Sequence, residues 1–397
     1  MKSEDTGDVF DTSHTIFSQN HKISPRQIRR ALTMELFGAG SLLLPPCLAG
    51  TSGILGVAAL CIGAAGAWVL VHIWDCLSER CDFESVEQNG HGTVNRIIQR
   101  ILLVMSGAGL LVLAGYVLYL LTVLLRDQLL TARYEAAILL TLTAAGVFGL
   151  RKGLESRIRV YEVLFWFLIV PLVIMLILAC FSVHPRYWTI TSYSLQGFGK
   201  SCWVSFLFFS ISSLILFFKP HCSVPKRAVK SAGCSIFLVL VLHVAVYLIL
   251  IGVFQDSLLS RLQFPVILLM AVVKLPGNFF ERQDAFMVGI WFFCLFALFH
   301  SLLFYGSKAL QNGFCRKKPD RSGLNDQKLP DENSRERMQK PAGALLPGVI
   351  CGTIVFLGAL WLLCHEQPVG SYLVMLPCLT GSLLLVLPFV YYVFARK

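Results

Sequence analysis

The sequence predicts an all-α, polytopic membrane protein, and three observations lead to this fold class. Of its 397 residues, 56% are hydrophobic and only 14% are charged, whereas soluble domains carry about a quarter charged residues. Ten apolar stretches approach or exceed the roughly 20 residues that a membrane-spanning helix needs. Segments of about ten residues with alternating polarity, the pattern of a membrane β-barrel, are absent from the sequence. A single soluble domain, a soluble nucleic-acid-binding protein and a largely disordered chain are therefore excluded.

The ten predicted spans make up most of the chain after a polar cytoplasmic tail at 1–22. The remainder, 23–397, is predicted to be one transporter-like domain. Within it, segment 262–276 is apolar but too short to cross the bilayer, so it is expected to be a re-entrant element or a buried loop. The spans are predicted at 31–50, 53–75, 101–125, 134–150, 160–181, 201–218, 231–254, 285–306, 343–363 and 370–394.

The net charge of +11 is explained by where the basic residues lie. If the N-terminus is cytoplasmic, 27 of the 34 Lys and Arg residues fall in cytoplasmic segments. Such an excess marks the cytoplasmic side, so both termini are predicted to be cytoplasmic, and no Lys or Arg is expected deep in a span. The charged segment 307–341 is expected to be a mobile cytoplasmic loop.

The first span contains residues that weaken a helix. Gly38 and Gly40 each cost about 1 kcal/mol relative to Ala in a helix, and Pro45 and Pro46 cannot donate helical hydrogen bonds. Discontinuous helices of this kind hold substrates in secondary transporters, so the sequence favours a break here. Close helix packing through small residues is the alternative.

The sixth span is where a transporter with a five-plus-five inverted repeat places its second broken helix. Its centre contains no glycine, and its main polar groups are Ser210, Ser212 and Ser213. These hydroxyls can bind a freed carbonyl or a substrate. Serine hydroxyls also bond to the backbone of their own helix, so these serines alone predict little more than where a second broken helix would lie.

Two ionisable residues in the spans allow more than one interpretation. Glu35 can carry a coupling proton or bind a substrate ammonium, or it can face the cytoplasmic interface near Arg29 and Arg30. His243 has a side chain suited to proton relay. Packing is the favoured interpretation of His243, with Tyr247 as its hydrogen-bond partner.

Catalytic and metal sites are not predicted. The first cytoplasmic loop carries zinc-binding residue types, but their spacing is loose and no CxxC pair is present. Cysteines that bind no metal are therefore favoured over a zinc site. These residues are His72, Cys76, Cys81 and His91. The sequence has no nucleophile elbow, HExxH motif or Walker loop, so no enzyme activity and no cofactor are predicted.

Several segments together resemble the spore germination permease family, the B-type subunits of nutrient germinant receptors. These segments are ISPRQ at 23–27, GAGSLLLPP in the first span, YSLQGFGK at 193–200, FFKPHCSVPKRAVKSA at 217–232 and GNFFERQDAFMVGIW at 277–291. The last is similar to the family's "FLERLDAxFxxIW" segment. That family lies within the amino acid–polyamine–organocation transporter superfamily.

The resemblance implies ten helices with broken helices one and six around a central pocket for a small molecule such as an amino acid. It implies a first repeat at about 25–181 and a second at about 198–395. Lipid-bilayer insertion in the cell or spore inner membrane, with A-type and C-type partner subunits, is also implied, and no nucleic acid is involved. The implied pocket residues are Gly38, Ala39, Gly40, Ser41, Tyr116, Tyr119, Ser210, Ser212 and Ser213. A stand-alone amino acid transporter, or a structural subunit with a vestigial pocket, remains an alternative function.

Overall fold

The computed structural model describes residues 23–78, 93–129, 134–189, 194–272, 283–314 and 342–365. These residues are almost entirely helical, with one isolated parallel β-bridge between Ile23 and Cys222. The α-helices in the described ranges are α1 (Pro25–Ser52), α2 (Gly56–Ser78), α3 (Thr93–Leu129), α4 (Glu135–Gly149), α5 (Gly153–Cys180), α6 (Leu195–Phe209), α7 (Ile215–Phe218), α8 (Pro225–Leu259), α9 (Pro265–Val272), α10 (Gln283–Phe314) and α11 (Ala342–Cys364).

Several of these helices are long and apolar enough to cross a membrane. Six such stretches occur in the described part of the chain, the first of which contains both α1 and α2, and α4 is a shorter apolar helix. The prediction of an all-helical, multi-pass membrane protein is therefore confirmed. The six stretches are Pro25–Cys76, Leu103–Leu129, Ser156–Cys180, Arg227–Leu259, Met287–Phe314 and Pro347–Cys364.

The predicted span positions agree with the helices wherever the structure describes them. Each of the first nine predicted spans overlaps a described helix, and the predicted short element at 262–276 contains α9. The tenth, at 370–394, lies outside the described residues, so the count of ten and the inverted repeat stay predictions. The predicted start of the cytoplasmic loop at 307 is wrong, because α10 continues to Phe314; residues 315–341 are outside the described ranges.

The start of α1 is fixed by local hydrogen bonds. Ser24 is the N-cap, and its side chain accepts from the backbone N–H of Gln27 while the Gln27 side chain accepts from the backbone N–H of Ser24. This capping box satisfies N–H groups that have no helical partner. The backbone N–H of Ile23 donates to His221 at 2.8 Å, and that of Ser223 donates to Ile23 at 2.9 Å. The beginning of α1 is thereby joined to the connection between α7 and α8.

The predicted break in the first span is wrong in this structure, because α1 is a continuous helix with Pro45 and Pro46 inside it. Its glycines serve close packing instead. A Cβ added at Gly38 would lie 2.6 Å from the Cβ of Cys294 on α10, and one at Gly40 would lie 2.4 Å from His243 Nε2 on α8. The alternative expectation, packing through small residues, describes what is seen.

The sixth span does change geometry at its serines. α6 ends at Phe209, and a 3₁₀ segment follows over Ser210–Leu214 before α7 begins. The Ser210 hydroxyl donates to the Leu207 carbonyl and the Ser213 hydroxyl donates to the Ser210 carbonyl, both at 2.6 Å. A 3₁₀ stretch within a longer helical run often marks a hinge or a functional site.

α1 occupies the centre of the described bundle. It packs against α8, α10, α5 and α6, while α10 packs most extensively against α3. Every residue from Ala31 to Pro45 is buried. A helix that is covered on all sides belongs to the interior of the bundle rather than to its lipid-facing surface.

Candidate functional site

His243 lies on α8 and connects it with α1 and with the end of α6. Its ring lies 5.7 Å from the Phe37 ring on α1 and 5.8 Å from the Phe209 ring at the end of α6. Its Nδ1 is 2.8 Å from the Val239 carbonyl. Its Nε2 is buried and lies against the backbone of Gly40.

The predicted partner of His243 is wrong. Tyr247 lies on the same helix, but its hydroxyl donates to the Gly53 carbonyl at 2.6 Å, in the 3₁₀ turn between α1 and α2. His243 is therefore a packed residue, as predicted, and its second nitrogen faces Gly40 on α1.

The predicted α1 residues Gly38, Ala39, Gly40 and Ser41 are all buried. The Ser41 hydroxyl donates to the Gly38 carbonyl at 3.2 Å and accepts from Trp291 Nε1 at 2.9 Å. Trp291 is fully buried on α10 and was not among the predicted site residues. It connects the middle of α1 to the middle of α10.

The three predicted serines of the sixth span are buried at the 3₁₀ segment. Ser210 and Ser213 bond to their own backbone. The Ser212 hydroxyl has no hydrogen-bond partner. A buried hydroxyl without a partner is costly, so Ser212 is the serine that is available to another group.

Tyr116 and Tyr119 lie on α3, which packs against α10 and α11. Both are buried, and their ring centroids are 6.3 Å apart. The Tyr116 hydroxyl has no partner. The described packing thus places these tyrosines beside α10, whereas the serines of the sixth span lie close to α1 and α2.

Glu35 is fully buried, so its interpretation as an interfacial residue is wrong. The Ser301 hydroxyl of α10 donates a hydrogen bond to Glu35 Oε1. Glu35 Oε2 has no partner. An acidic side chain in this position is a default candidate for function.

Arg157 is a buried basic residue near the start of α5. It was placed in a cytoplasmic loop, but it lies on α5 and is only 6% exposed. Its guanidinium donates to the His300 carbonyl at 3.3 Å and to the Tyr305 hydroxyl at 3.5 Å. It also lies 4.9 Å above the centre of the Phe304 ring, a cation–π contact.

Glu35 and Arg157 interact through space without forming a direct ion pair. Each contributes to the electrostatic environment of the other and of Tyr161 and Tyr305. Tyr161 interacts with Ser301 and donates to the Ala297 carbonyl at 3.1 Å. Glu35 Oε2 and Arg157 Nε are both buried without a partner. The result is a buried polar cluster that joins α1, α5 and α10.

A second contact between α1 and α5 lies nearer the start of α1. Arg30 forms an ion pair with Glu162, and the Gln27 side-chain amide donates to the same carboxylate at 2.8 Å. Together with the buried cluster, this ion pair holds the first half of α1 against α5.

The described residues contain no group of three or more His, Cys, Asp or Glu side chains arranged to bind a metal. Of the four residues of zinc-binding type in the first cytoplasmic loop, His72 and Cys76 lie at the end of α2, and Cys81 and His91 are outside the described ranges.

A cavity of about 230 Å³ lies between the end of α3 and α9, away from the predicted site. Asp127, Gln263 and Phe264 are among the residues that line it. None of the predicted pocket residues does so. Gly38 lies directly against Cys294 and Gly40 against His243, so ligand entry at these positions requires α1 or a neighbouring helix to move.

The overall architecture matches that of a known transporter. A Na+-coupled sialic acid symporter, solved in a substrate-bound outward-open state, aligns with a TM-score of 0.57 over 92% of this chain and 80% of its own. The two sequences are 12% identical. The likeness therefore establishes a shared transporter fold.

Sequence relatives agree on a narrower family. Spore germination protein YndE of Bacillus subtilis (strain 168) is 22% identical over 310 residues, which is 77% of this chain and 84% of that protein. Spore germination protein A2 of the same strain is 23% identical over 183 residues, or 45% of this chain and 49% of its own length. A family model described as "Spore germination protein" matches residues 22–320. The chain belongs to this spore germination protein family.

Proposed function

We propose that this protein binds a small nutrient such as an amino acid between α1 and the 3₁₀ segment of the sixth span, and acts as a subunit of a germinant receptor. The observation that carries the proposal is the Ser212 hydroxyl, which is buried without a hydrogen-bond partner among the described residues and lies in the 3₁₀ segment that contacts α1. Buried polar groups normally have partners. A ligand would supply the missing hydrogen bond.

The family supports the receptor role, and the helix geometry supports the position of the site. Pro45 and Pro46 lack N–H groups, so the Ser41 and Leu42 carbonyls have no α-helical donor. The 3₁₀ segment Ser210–Leu214 lies directly against α2 and contacts α1. Both elements can therefore change geometry at a small cost, which a site that opens for its ligand requires. The predicted pocket residues Gly38, Ala39, Gly40, Ser41, Ser210 and Ser213 belong to this proposal, with Tyr116 and Tyr119 as more distant members.

The assembly and orientation also belong to the proposal. A- and C-type receptor subunits are the expected partners, and both termini are expected in the cytoplasm. Binding of a radiolabelled amino-acid panel to the purified protein in proteoliposomes, measured together with uptake, tests the function. Binding without uptake is the expected result for a receptor subunit. Absence of binding for every nutrient class tested, including sugars and nucleosides, would contradict it.

A stand-alone, proton-coupled amino acid transporter is the second candidate, and Glu35 favours it. A carboxylate that is fully buried on the central helix, with one oxygen unpartnered, is a suitable site for a transported proton. The same proteoliposomes distinguish the two functions. Accumulation of amino acid that is driven by an inward proton gradient would establish the transporter.

A further inference from the structure

We propose that the groove between α2 and α8 binds an anionic phospholipid, with the phosphate at the start of α8 and an acyl chain along the exposed apolar side chains that follow. Trp68 and His72 on α2 and Arg227, Lys230 and Phe237 on α8 form this site. It is independent of the proposed nutrient site.

The register of the two helices brings these residues to one level. A Cβ added at Gly56, at the start of α2, would lie 2.5 Å from the Tyr247 hydroxyl on α8. Farther along α2, Trp68 Nε1 lies 3.0 Å from the Cβ position of Gly233. The contacts move toward the start of α8 as α2 proceeds, so the two helices are antiparallel. His72, about one turn beyond Trp68, therefore lies at the level of the α8 residues about one turn before Gly233.

Two positive charges lie at that level. Arg227 and Lys230 are three positions apart, so they share one face of α8. Both are exposed, and neither has an ion-pair partner among the described residues. The carboxylate at the end of α2, Asp75, is already paired with Lys219 at 2.6 Å. The two charges on α8 are thus available to an anion.

His72 completes the polar part of the groove. Its side chain is exposed, and its ring lies 4.4 Å from the Trp68 ring in an edge-on contact. An imidazole N–H can donate to a phosphate oxygen. Trp is also the residue that membrane proteins place at headgroup level. The charge distribution predicts that this end of the bundle is cytoplasmic, the side on which basic pockets between helices hold anionic lipid headgroups.

An exposed apolar stripe continues from these charges along α8. Lys230, Cys234, Phe237 and Val241 recur at intervals of three or four residues, so they lie on one face. Phe237 is 68% exposed and Val241 48%, and Trp68 on the opposite wall of the groove is 48% exposed. Phe237 lies about 10 Å from Lys230 along the helix axis. A phospholipid has this same order of groups, an anionic head followed by apolar chains.

Lipid selectivity tests the charge of the site. The full-length protein in a neutral detergent is titrated with phosphatidylglycerol and with phosphatidylcholine of the same acyl chains, and bound lipid is measured by native mass spectrometry. We expect phosphatidylglycerol to bind at least about 10-fold more tightly, because two basic side chains contribute to its affinity. Equal binding of the two lipids would overturn the inference. Equal affinity for soluble glycerol phosphate would also overturn it, since the acyl chains would then contribute nothing.

Two variants locate the selectivity at the start of α8. Arg227→Gln and Lys230→Gln each remove one exposed charge, and we expect each to weaken phosphatidylglycerol binding by about 5-fold and to leave phosphatidylcholine binding unchanged. The control is Lys200→Gln, at an exposed position of α6 next to Ser201, which bonds to Thr51 at the far end of α1. It should bind lipid as the wild type does. The same loss in all three variants would show a general effect of net charge and would overturn the site.

Trp68 fluorescence provides a test that uses the wild-type protein. In phosphatidylcholine vesicles that contain phosphatidylglycerol with brominated acyl chains, the bromine quenches nearby tryptophans. We expect stronger quenching than with brominated phosphatidylcholine at the same content, and we expect this excess to be lost in Trp68→Phe. An excess that persists in Trp68→Phe would place the lipid elsewhere. No excess in the wild type, as when a second protein copy covers the groove, would overturn the inference.

Discussion

The Ser301 hydroxyl on α10 donates a hydrogen bond to the Glu35 carboxylate on α1, inside a bundle where both side chains are completely buried. Gly38 and Cys294 form a second contact between these helices. Glu35 lies about one turn from Gly38 along α1, and Ser301 lies about two turns from Cys294 along α10. The second carboxyl oxygen has no partner among the described residues, so the Ser301 hydroxyl is the main group that hydrogen-bonds directly to this buried side chain.

Removal of the hydrogen bond from Ser301 to Glu35 should destabilise the fold. In Ser301→Ala the buried carboxylate loses its donor, and we expect a loss of about 1–3 kcal/mol in the free energy of unfolding. The matched control is Ser307→Ala on the same helix, because the Ser307 hydroxyl donates only to the Phe304 carbonyl. Thermal unfolding of the detergent-solubilised variants measures the difference. Equal midpoints for the two variants would show that the Ser301 bond contributes no particular stability.

Arg157 should matter as the positive charge near Glu35. Arg157→Met removes the positive charge near Glu35 and the hydrogen bonds to the His300 carbonyl and the Tyr305 hydroxyl, so we expect a loss of about 1–3 kcal/mol in the free energy of unfolding. In the double variant Glu35→Gln/Arg157→Met neither charge remains, and much of the stability should return. A double-mutant cycle measured by unfolding gives the interaction energy. An additive cycle would mean that the two charges act independently.

Close packing at Gly38 predicts a different kind of defect. A methyl group there would lie 2.6 Å from the Cys294 Cβ, so Gly38→Ala should force α1 and α10 apart at a cost of about 1–3 kcal/mol. Gly289→Ala on α10, where the added atom meets nothing within 4 Å, is the control. Cys294→Gly should relieve the clash and restore the Gly38→Ala variant. Failure of that rescue would place the strain elsewhere.

Glu35→Gln tests the transporter alternative. The amide can still accept from Ser301 but cannot release or bind a proton. If Glu35 carries the coupling proton, uptake by the variant should lose its dependence on pH and on the proton gradient. Uptake rates measured over a series of external pH values, with wild-type liposomes in parallel, give the answer. Wild-type pH dependence in the variant would remove Glu35 from the coupling mechanism.

The fold could largely be predicted because span length and apolar composition are local properties of the sequence. The membrane class and nine helix positions follow from them. Arg157 could not be placed in this way. It lies four residues after the start of α5, where a sequence shows only a basic residue near a membrane interface, and its burial depends on helix packing.

Whether α1 is broken or continuous could not be predicted from the sequence. Gly38 and Gly40 suit both a broken helix and a tight helix contact, and only the positions of Cys294 and His243 on distant helices decide between them. Trp291 and Ser301 were missed for a related reason. Each is an ordinary residue of an apolar helix, and each becomes part of the site through a partner about 250 or more residues away in the chain.

The proposed nutrient site is tested most directly by amino-acid binding to Gly40→Leu. The new side chain would lie against His243 Nε2 and fill the junction of α1, α8 and the sixth span, so a protein that still inserts should bind none of the radiolabelled amino acids that the wild type binds. Gly358→Leu on α11, where an added Cβ meets nothing within 4 Å, should bind normally. Wild-type binding by the Gly40→Leu protein would contradict a nutrient site at this junction.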